Sequence, residues 1–295
     1  MDFYAELHRI MGYDAGNRGL RGPVPDLPGL GASLAAASRV LILTGFPVLR
    51  PDRSAVGETD GPVGAAELAR ALELLGCRVS VATDAPSYPL VRAALAAVSS
   101  GGEAVLIPGR GTAAFAASLT EALRPSHLIA LERPGKGAGG HFHSMRGRVI
   151  DGAVADTDCF FANARRQGIV TVGIGDGGNE LGMGALRRQV ACGVPHGPEI
   201  AAREPADYTL TAGVSNWWGA GLAALLSYET GKALMLSGEA EAETLRAVVA
   251  AGGLDGCTGR HTLTVDSLPL AVHLERRAAL EQLLEACRRE PEQAL

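Results

Sequence analysis

Two carboxylates and an amide lie within one glycine-rich stretch, "GIGDGGNELGMG", at residues 173–184. Six glycines surround these groups and let the backbone approach a small ligand closely. Carboxylates placed in this way can bind an ammonium group, take a proton from it, or hold a divalent cation. The stretch therefore predicts a polar site. Its candidate residues are Asp176, Gly177, Asn179 and Glu180.

The same stretch also fits the G-x-G-x-x-G pattern of a dinucleotide-binding loop. Such a loop opens the first βαβ unit, and an acidic residue follows about 20 positions later at the end of the next strand. Here the stretch follows a later apolar run, and the next run ends in Ser215 and Asn216. Asp176 would also oppose a pyrophosphate. The sequence therefore favours a smaller ligand over a dinucleotide.

Six short runs rich in Val, Ile and Leu must position these groups, and Ala- and Leu-rich helical segments separate them. The runs cover residues 39–45, 78–84, 103–109, 127–133, 168–176 and 208–216. Continuous apolar runs indicate strands that are covered on both faces. Repeated strand-then-helix order predicts an α/β fold with a doubly wound, mostly parallel, Rossmann-like sheet and helices on both faces.

Polar residues follow most of these runs, at the sheet edge where open parallel sheets bind ligands. The candidates at this edge are Thr44, Gly45, Asp84, Glu132, Arg133, Asp176, Ser215 and Asn216. A single polar residue at a strand end is often only a helix cap. Convergence of so many at one edge predicts a binding site.

Two long polar loops extend the same edge, at residues 46–68 and 131–151. The first supplies Glu58 and Asp60, although Thr59 or Asp60 could simply cap the helix that begins at Gly64. The second supplies Arg146 besides the strand-end Arg133, and arginine can hold a carboxylate with two parallel hydrogen bonds.

The amino-acid composition limits the classes of partner that the chain can bind. The chain has 295 residues, 47% hydrophobic and 20% charged, with a net charge of −5, which argues against binding to nucleic acid or an anionic membrane. We find no secretory signal, and no apolar run approaches the roughly 20 residues of a membrane span. Five scattered cysteines favour a reducing, cytoplasmic location.

We expect one α/β domain over residues 1–295, with an N-terminal extension at 1–38 and a C-terminal helical embellishment at 240–295. Within the extension, "GNRGLRGPVPDLPGLG" at residues 16–31 is so rich in Gly and Pro that we expect no regular structure there.

Taken together, five segments resemble the C-terminal-domain family of D-glutamate cyclase. They are "TGFPV", "ETDGPVGAAELARAL", "LERPGKGAGGHFHSMRG", "GIGDGGNELGMG" and "AGVSNWWGAGL", in order over about residues 40–230. "LDGCTG" and "TVDSLP" add weaker similarity. The resemblance implies a hydro-lyase that converts D-glutamate to 5-oxo-D-proline with loss of water. Trp217 and Trp218 stand where the family tends to have one Trp and a small residue, which should narrow the pocket.

The chemistry of lactam formation suggests roles for these residues. An ammonium must lose a proton, and a carboxylate oxygen must leave as water. We assign ammonium binding and proton removal to Asp176 or Glu180. Glu58 or Asp60, kept protonated by neighbouring carboxylates, is the candidate acid.

Arg133, with Arg146, would hold a substrate carboxylate, and Asn179 and Asn216 would orient the substrate. The other predicted substrate contacts are Thr44, Gly45, Glu132, Gly177 and Ser215. The sequence requires no cofactor, but a divalent cation (Mg²⁺ or Mn²⁺) held by Asp176 and Glu180 could replace the acid.

The predicted partner is therefore a small anionic amino-acid substrate, without nucleic acid or membrane, and the sequence leaves room for a homo-oligomer. Two other functions use the same strand ends: a nucleotide- or phosphate-binding transferase, and a non-catalytic amino-acid-binding protein.

Overall fold

The computed structural model describes residues 2–20 and 22–289. Its strands are β1 (Arg39–Thr44), β2 (Pro47–Leu49), β3 (Ala55–Gly57), β4 (Arg78–Thr83), β5 (Glu103–Leu106), β6 (His127–Leu131), β7 (Val170–Gly175), β8 (Tyr208–Thr211), β9 (Thr264–Val265) and β10 (Leu268–Pro269). Its α-helices are α1 (Phe3–Met11), α2 (Leu27–Ala35), α3 (Pro62–Leu74), α4 (Tyr88–Ala97), α5 (Thr112–Leu123), α6 (Asp158–Gln167), α7 (Arg187–Gly193), α8 (Gly197–Ile200), α9 (Trp217–Thr230), α10 (Gly238–Ala250) and α11 (Leu270–Arg289).

Six strands form one parallel sheet in the order β5-β4-β1-β6-β7-β8. The chain runs outward from β1 through β4 to β5, then returns to place β6 on the other side of β1. The direction of winding therefore reverses between β1 and β6, which is the switch point where doubly wound sheets form their ligand crevice. The predicted α/β fold with a doubly wound parallel sheet is confirmed.

Strand β1 shows why the apolar runs are continuous. Val40 and Ile42 belong to one core, with buried residues of α3 and α9, whereas Leu41 and Leu43 belong to a second core with α5 and α6. Because successive strand residues point to opposite faces, a strand covered on both faces must be apolar at every position.

The N-terminal region contains a helix that the sequence did not predict. Residues 27–35 of the expected irregular segment form α2. Asp26 accepts a hydrogen bond from the backbone N–H of Gly29 (3.0 Å), and Pro28 lies in the first turn, where it removes no helical hydrogen bond. Buried leucines of α1 and α2 join the core over α9. Capping and burial thus outweigh the Gly and Pro content.

Two small hairpins extend the sheet's carboxyl edge. β2 and β3 pair antiparallel inside the long loop after β1, and β9 pairs with β10 just before α11. Among the described residues, no helix combines the length and apolar character needed to cross a membrane.

Candidate active site

The glycine-rich loop folds around a carboxylate of its own. β7 ends at Gly175, and the Glu180 side chain turns back to the start of the loop. Its Oε1 accepts the N–H groups of Asp176 (3.2 Å) and Gly177 (2.7 Å), and its Oε2 accepts that of Gly178 (2.7 Å). A Cβ on Gly175 would collide with the same carboxyl group. Glu180 therefore holds the loop in shape, which corrects its assignment to proton removal and metal binding.

Three carboxylates from different elements meet near the switch point. Asp60, Glu132 and Asp176 each have an oxygen within 4.8 Å of the others. Ser215 links them: its N–H donates to Asp60 (3.0 Å) and Asp176 (3.2 Å), and its hydroxyl donates to Glu132 (2.6 Å). The predicted convergence of strand ends therefore occurs for Glu132, Asp176 and Ser215, and the long loop after β1 brings Asp60 to the same place.

Asn216 holds Asp60 and the start of α3 in place through hydrogen bonds. Its Oδ1 accepts the N–H groups of Gly61 (2.9 Å) and Gly64 (2.8 Å), and its Nδ2 donates to the carbonyl of Thr59 (3.0 Å). Its own N–H donates to Asp60 (2.8 Å). Because these contacts use its amide group, Asn216 orients the start of α3 and Asp60, which corrects its predicted contact with substrate.

Arg133 is an internal support. Its guanidinium is fully buried and donates to the Thr157 hydroxyl (3.0 Å) and the carbonyls of Gly45 (3.2 Å) and Ala155 (2.8 Å). It also forms an ion pair with Asp84 (2.8 Å). With its donors engaged and no exposed surface, it cannot grip a substrate carboxylate. The predicted clamp at Arg133 is wrong, because its position at a strand end did not reveal how deeply it is buried.

Three further predicted contacts lie in tightly packed backbone. Thr44 is buried below the site. Gly45 has φ +96°, and a Cβ there would lie 2.5 Å from Ser87. A Cβ on Gly177 would collide with Met145. These glycines allow close packing, and the three residues are outside the lining of the cavity described next.

A cavity of about 370 Å³ opens over the carboxylates. Acidic groups form one part of its lining: Glu58, Glu132 and Asp266. Three guanidinium-bearing residues form another: Arg18, Arg146 and Arg148. Apolar groups complete the wall: Phe46, Pro47, Val48, Leu49, Met145 and Ile150. A larger cavity of about 690 Å³ lies where β1 and β4 begin, at the opposite sheet edge, and so is remote from this chemistry.

Of the predicted residues at the cavity, Asn179 donates from Nδ2 to the carbonyl of His143 (2.8 Å), and its Oδ1 has no partner among the described residues. Arg146 is exposed and donates to the carbonyl of Cys257 (3.0 Å). Glu58 lines the cavity without a side-chain hydrogen bond to any described residue. These three can contact a ligand.

Trp217 and Trp218 point away from the cavity. Trp217 donates from Nε1 to His273 (2.9 Å), and Trp218 donates from Nε1 to the carbonyl of Thr211 (2.8 Å). Both rings are buried in the core around α9. The expectation that they narrow the pocket is therefore wrong.

Arg18 is a site residue that sequence reasoning missed. Its guanidinium forms ion pairs with Asp176 and with Asp266 (2.5 Å). Asp14 accepts the N–H groups of Arg18 (2.9 Å) and Gly19 (3.0 Å), which fixes the turn after α1. No periodicity or motif marked this arginine, because it lies in the irregular N-terminal segment.

Asp266 is the second missed residue, and it reaches the cluster from the turn between β9 and β10. The signal for it was present: an Asp-Ser pair between two short apolar strands indicates a hairpin turn. The turn's position over the sheet edge, however, depends on the packing of α11.

The buried carboxyl groups of the site have raised pKa values. Burial, with smaller contributions from nearby carboxylates, raises the pKa of Glu58 and Glu132 well above the usual range. Burial and a neighbouring carboxylate raise the pKa of Asp60 to about 7. Burial also raises the pKa of Asp176, although Arg18 lowers it. The cluster therefore carries protons near neutral pH and can offer both a donor and an acceptor.

A divalent cation would find its oxygen ligands at Asp60, Glu132 and Asp176, rather than at the predicted pair of Asp176 and Glu180. The guanidinium of Arg18 already stands against Asp176, and a second cation there would be repelled. Arg18 and a metal ion are therefore alternative counter-ions, and the carboxylates do not fit a cation while Arg18 is in place.

Comparison with known proteins agrees with the sequence motifs. The family model described as "D-glutamate cyclase-like, C-terminal" matches residues 7–281. The human protein named "D-glutamate cyclase, mitochondrial" is 37% identical over 235 residues, which cover 75% of this chain and 38% of the human protein. This chain therefore spans well under half of that relative. The resemblance drawn from the sequence motifs is confirmed.

Proposed function

Because this chain belongs to the D-glutamate cyclase-like, C-terminal family, we propose that it is a hydro-lyase that converts D-glutamate to 5-oxo-D-proline and water. The observation that carries the proposal is the pairing of carboxyl groups and guanidinium groups around one cavity. A glutamate zwitterion presents one ammonium and two carboxylates, so its charges complement those of the wall.

The reaction forms a bond between the amino nitrogen and the carbon of the γ-carboxyl group (Cδ) and breaks one of the bonds between that carbon and oxygen. Two protons leave the nitrogen, and two reach the departing oxygen as water. Neutral carboxyl groups and ionised carboxylates must therefore both lie at the cavity. A cluster that shares protons among buried acids meets this need.

Glu58 is the group we assign to protonate the departing oxygen. It lines the cavity, it makes no side-chain hydrogen bond to a described residue, and burial together with the charge of Asp266 raises its pKa, which favours the protonated form. Glu132 is assigned, in its ionised form, to accept the proton from nitrogen, because the Ser215 hydroxyl donates to its carboxylate (2.6 Å) and fixes its orientation.

Asp60 and Asp176 act through charge. Their oxygens accept backbone N–H groups or Arg18, and neither residue lines the cavity. Burial raises the pKa of Glu132, and the charge of Asp60 adds to this effect. Asp176 thus moves from the predicted proton acceptor to the residue that holds Arg18, whose charge lowers the pKa of Glu58.

Arg146 and Asn179 are assigned to the substrate's carboxylate and carbonyl oxygens. Arg146 stands at the exposed rim of the cavity, where a guanidinium can bind an incoming anion. Asn179 would donate or accept from its partly free amide. The apolar wall would cover the methylene groups and exclude water from the forming lactam.

The competing nucleotide or phosphate function lacks its main structural element. Phosphate-binding loops present free backbone N–H groups, whereas here Glu180 accepts the N–H groups of Asp176, Gly177 and Gly178. A non-catalytic amino-acid-binding protein would use the same cavity, and turnover separates it from an enzyme. The cytoplasmic location and a homo-oligomeric state stay predictions.

The test is incubation with D-glutamate or L-glutamate, with chiral detection of 5-oxoproline, in chelator and in added Mg²⁺ or Mn²⁺. We expect 5-oxo-D-proline from D-glutamate in chelator. Thermal unfolding with D-glutamate, 5-oxo-D-proline, ATP and NAD is the companion measurement, because a ligand of the folded state raises its midpoint. Absence of product, together with a rise for ATP or NAD alone, would refute the proposal.

A further inference from the structure

We infer that Asp266 is the residue that receives the substrate's ammonium group and so selects amino acids over simple dicarboxylates. The inference rests on the proposed function for the choice of ligand, but its geometric basis is independent of it. That basis is one buried carboxylate oxygen at the cavity that has no partner.

The local fold presents Asp266 in an uncommon conformation. Asp266 and Ser267 both have left-handed backbone angles (φ +54° and +66°) in the two-residue turn between β9 and β10. The Asp255 carboxylate anchors this region, since it accepts the N–H groups of Cys257 (2.9 Å) and Ser267 (2.8 Å). Non-glycine residues in this conformation carry a conformational cost and are often found at functional sites.

The carboxylate of Asp266 is only half satisfied. The residue is 7% exposed; its Oδ1 forms the ion pair with Arg18 (2.5 Å), and its Oδ2 has no hydrogen-bond partner among residues 2–20 and 22–289. Leaving a buried carboxylate oxygen unpaired is costly, and the residue lines the cavity. A charged donor in the cavity would remove that cost.

The acidic residues that do not line the cavity are less available. Asp176 accepts from Arg18 and the Ser215 N–H, Glu180 accepts three loop N–H groups, and Asp60 accepts from backbone N–H groups through both oxygens. An ammonium has three donors and needs acceptors that are not already saturated. Asp266 supplies one beside Glu58, so the amino nitrogen would lie next to the proposed acid.

The position of Asp266 next to Glu58 also links binding of the substrate to proton release by Glu58. The negative charge of Asp266 is the largest influence of any neighbouring group on Glu58, and it favours the protonated form. A substrate ammonium on Asp266 would offset that charge, and Glu58 would then release its proton more readily. The proton would become available when the substrate is in place.

The experiment compares D-glutamate with glutarate, which has both carboxylates but no amino group. Binding of each is measured by calorimetry to the full chain and to Asp266→Asn. Asparagine tolerates the left-handed conformation, so the turn is kept while the charge is removed. Ser267→Ala is the matched control, because it changes the exposed neighbour in the same turn.

We expect the unmodified protein to bind D-glutamate more tightly than glutarate, and Asp266→Asn to weaken D-glutamate by about 10- to 100-fold, the range for hydrogen bonds to charged groups. Glutarate affinity should fall little or rise, and Ser267→Ala should match the unmodified protein. Equal affinity of the unmodified protein for both ligands would overturn the inference, as would an equal loss for both in Asp266→Asn. If Asp266→Asn loses affinity for D-glutamate but not for glutarate, and the unmodified protein shows no turnover, the inference about Asp266 would stand and the proposed lyase activity would be refuted.

Discussion

Arg18 and Asp176 form an ion pair although 158 residues separate them in sequence. Asp176 is fully buried, and the Arg18 side chain is 17% exposed. Within residues 2–20 and 22–289, no other lysine or arginine forms an ion pair with Asp60, Glu132 or Asp176. The turn after α1 therefore supplies the charge that makes a buried acidic cluster tolerable.

Arg18→Gln should destabilise the protein most at high pH. Arg18 lowers the pKa of Asp176 and Glu58, so its removal raises both and makes ionisation of the cluster harder. Breaking a buried pair costs about 3–5 kcal/mol, and protonation should relieve part of that loss at pH 5. Urea denaturation at pH 5 and pH 8 measures both values.

Arg18→Lys should recover part of the stability, and Arg9→Gln serves as the control. Arg9 pairs with Glu6 on the exposed face of α1, where such pairs contribute about 0–1 kcal/mol. A loss in Arg18→Gln that is as small as in Arg9→Gln would show that the cluster does not need this counter-ion.

Glu58→Gln should lower kcat by about 100- to 10,000-fold, the usual contribution of a general acid. The amide keeps the size of the side chain but cannot donate an acidic proton. KM should change much less, and circular dichroism should report an intact fold. Steady-state kinetics on D-glutamate provides the measurement. Glu243→Gln on the exposed face of α10 is the control, and near-normal kcat in Glu58→Gln would remove Glu58 from the mechanism.

The unliganded protein should lose stability as the pH rises from about 4 to about 7. The pKa of Asp60 is about 7 in the folded protein against 3.8 as its ordinary value. The folded state thus binds more protons than the unfolded state in this window. Stability from such a group is present below the lower pKa and is lost through the higher one, at up to about 1.4 kcal/mol per pH unit per proton.

Denaturation at pH 5, 6, 7 and 8 tests this slope, and Asp60→Asn should make it shallower. Asp60→Asn also removes a charge that raises the pKa of Glu58 and Glu132, which makes the slope shallower in the same direction, and the titrating groups outside the cluster cancel in the difference. A stability that rises with pH over this range, or an unchanged slope in Asp60→Asn, would contradict the expected proton uptake.

The variants Arg133→Lys and Arg146→Lys should distinguish an arginine that stabilises the fold from one that binds the substrate. Arg133 is buried among four partners, so an ammonium in its place leaves several unpaired and should cost about 2–3 kcal/mol of folding free energy, with KM of the folded protein unchanged. Arg146 is exposed at the cavity rim and should show the opposite pattern, a raised KM at normal stability.

Thermal unfolding and kinetics on the same two preparations give both readouts. A raised KM in Arg133→Lys without a stability loss would restore the clamp that the sequence predicted.

Sequence reasoning succeeded where chain direction and strand order determine position. Glu132, Asp176 and Ser215 could be brought to one edge because parallel strands end together, and Asp60 because its loop follows one of these strands. Their roles were harder to predict: Glu180 and Arg133 have the right chemistry, but their partners are backbone groups and, for Arg133, also the side chains of Thr157 and Asp84, which only the folded loops bring near.

Arg18 and Asp266 escaped prediction for another reason. Both lie in irregular segments at opposite ends of the chain, with no period or spacing that relates them to β7. Their meeting depends on α1 and α11, which pack against each other and against α9. Contacts of this kind arise from tertiary packing, which a single sequence does not expose.

The Glu180 carboxylate has a consequence for every anion that might approach the loop after β7. Because it is attached to the same short segment as the amides it accepts, its effective concentration there is far higher than any dissolved anion can reach. A free phosphate would have to displace the Glu180 carboxylate, which is covalently attached to the same loop. Only replacement of Glu180, and not an increase in ligand, would open these amides to a soluble anion.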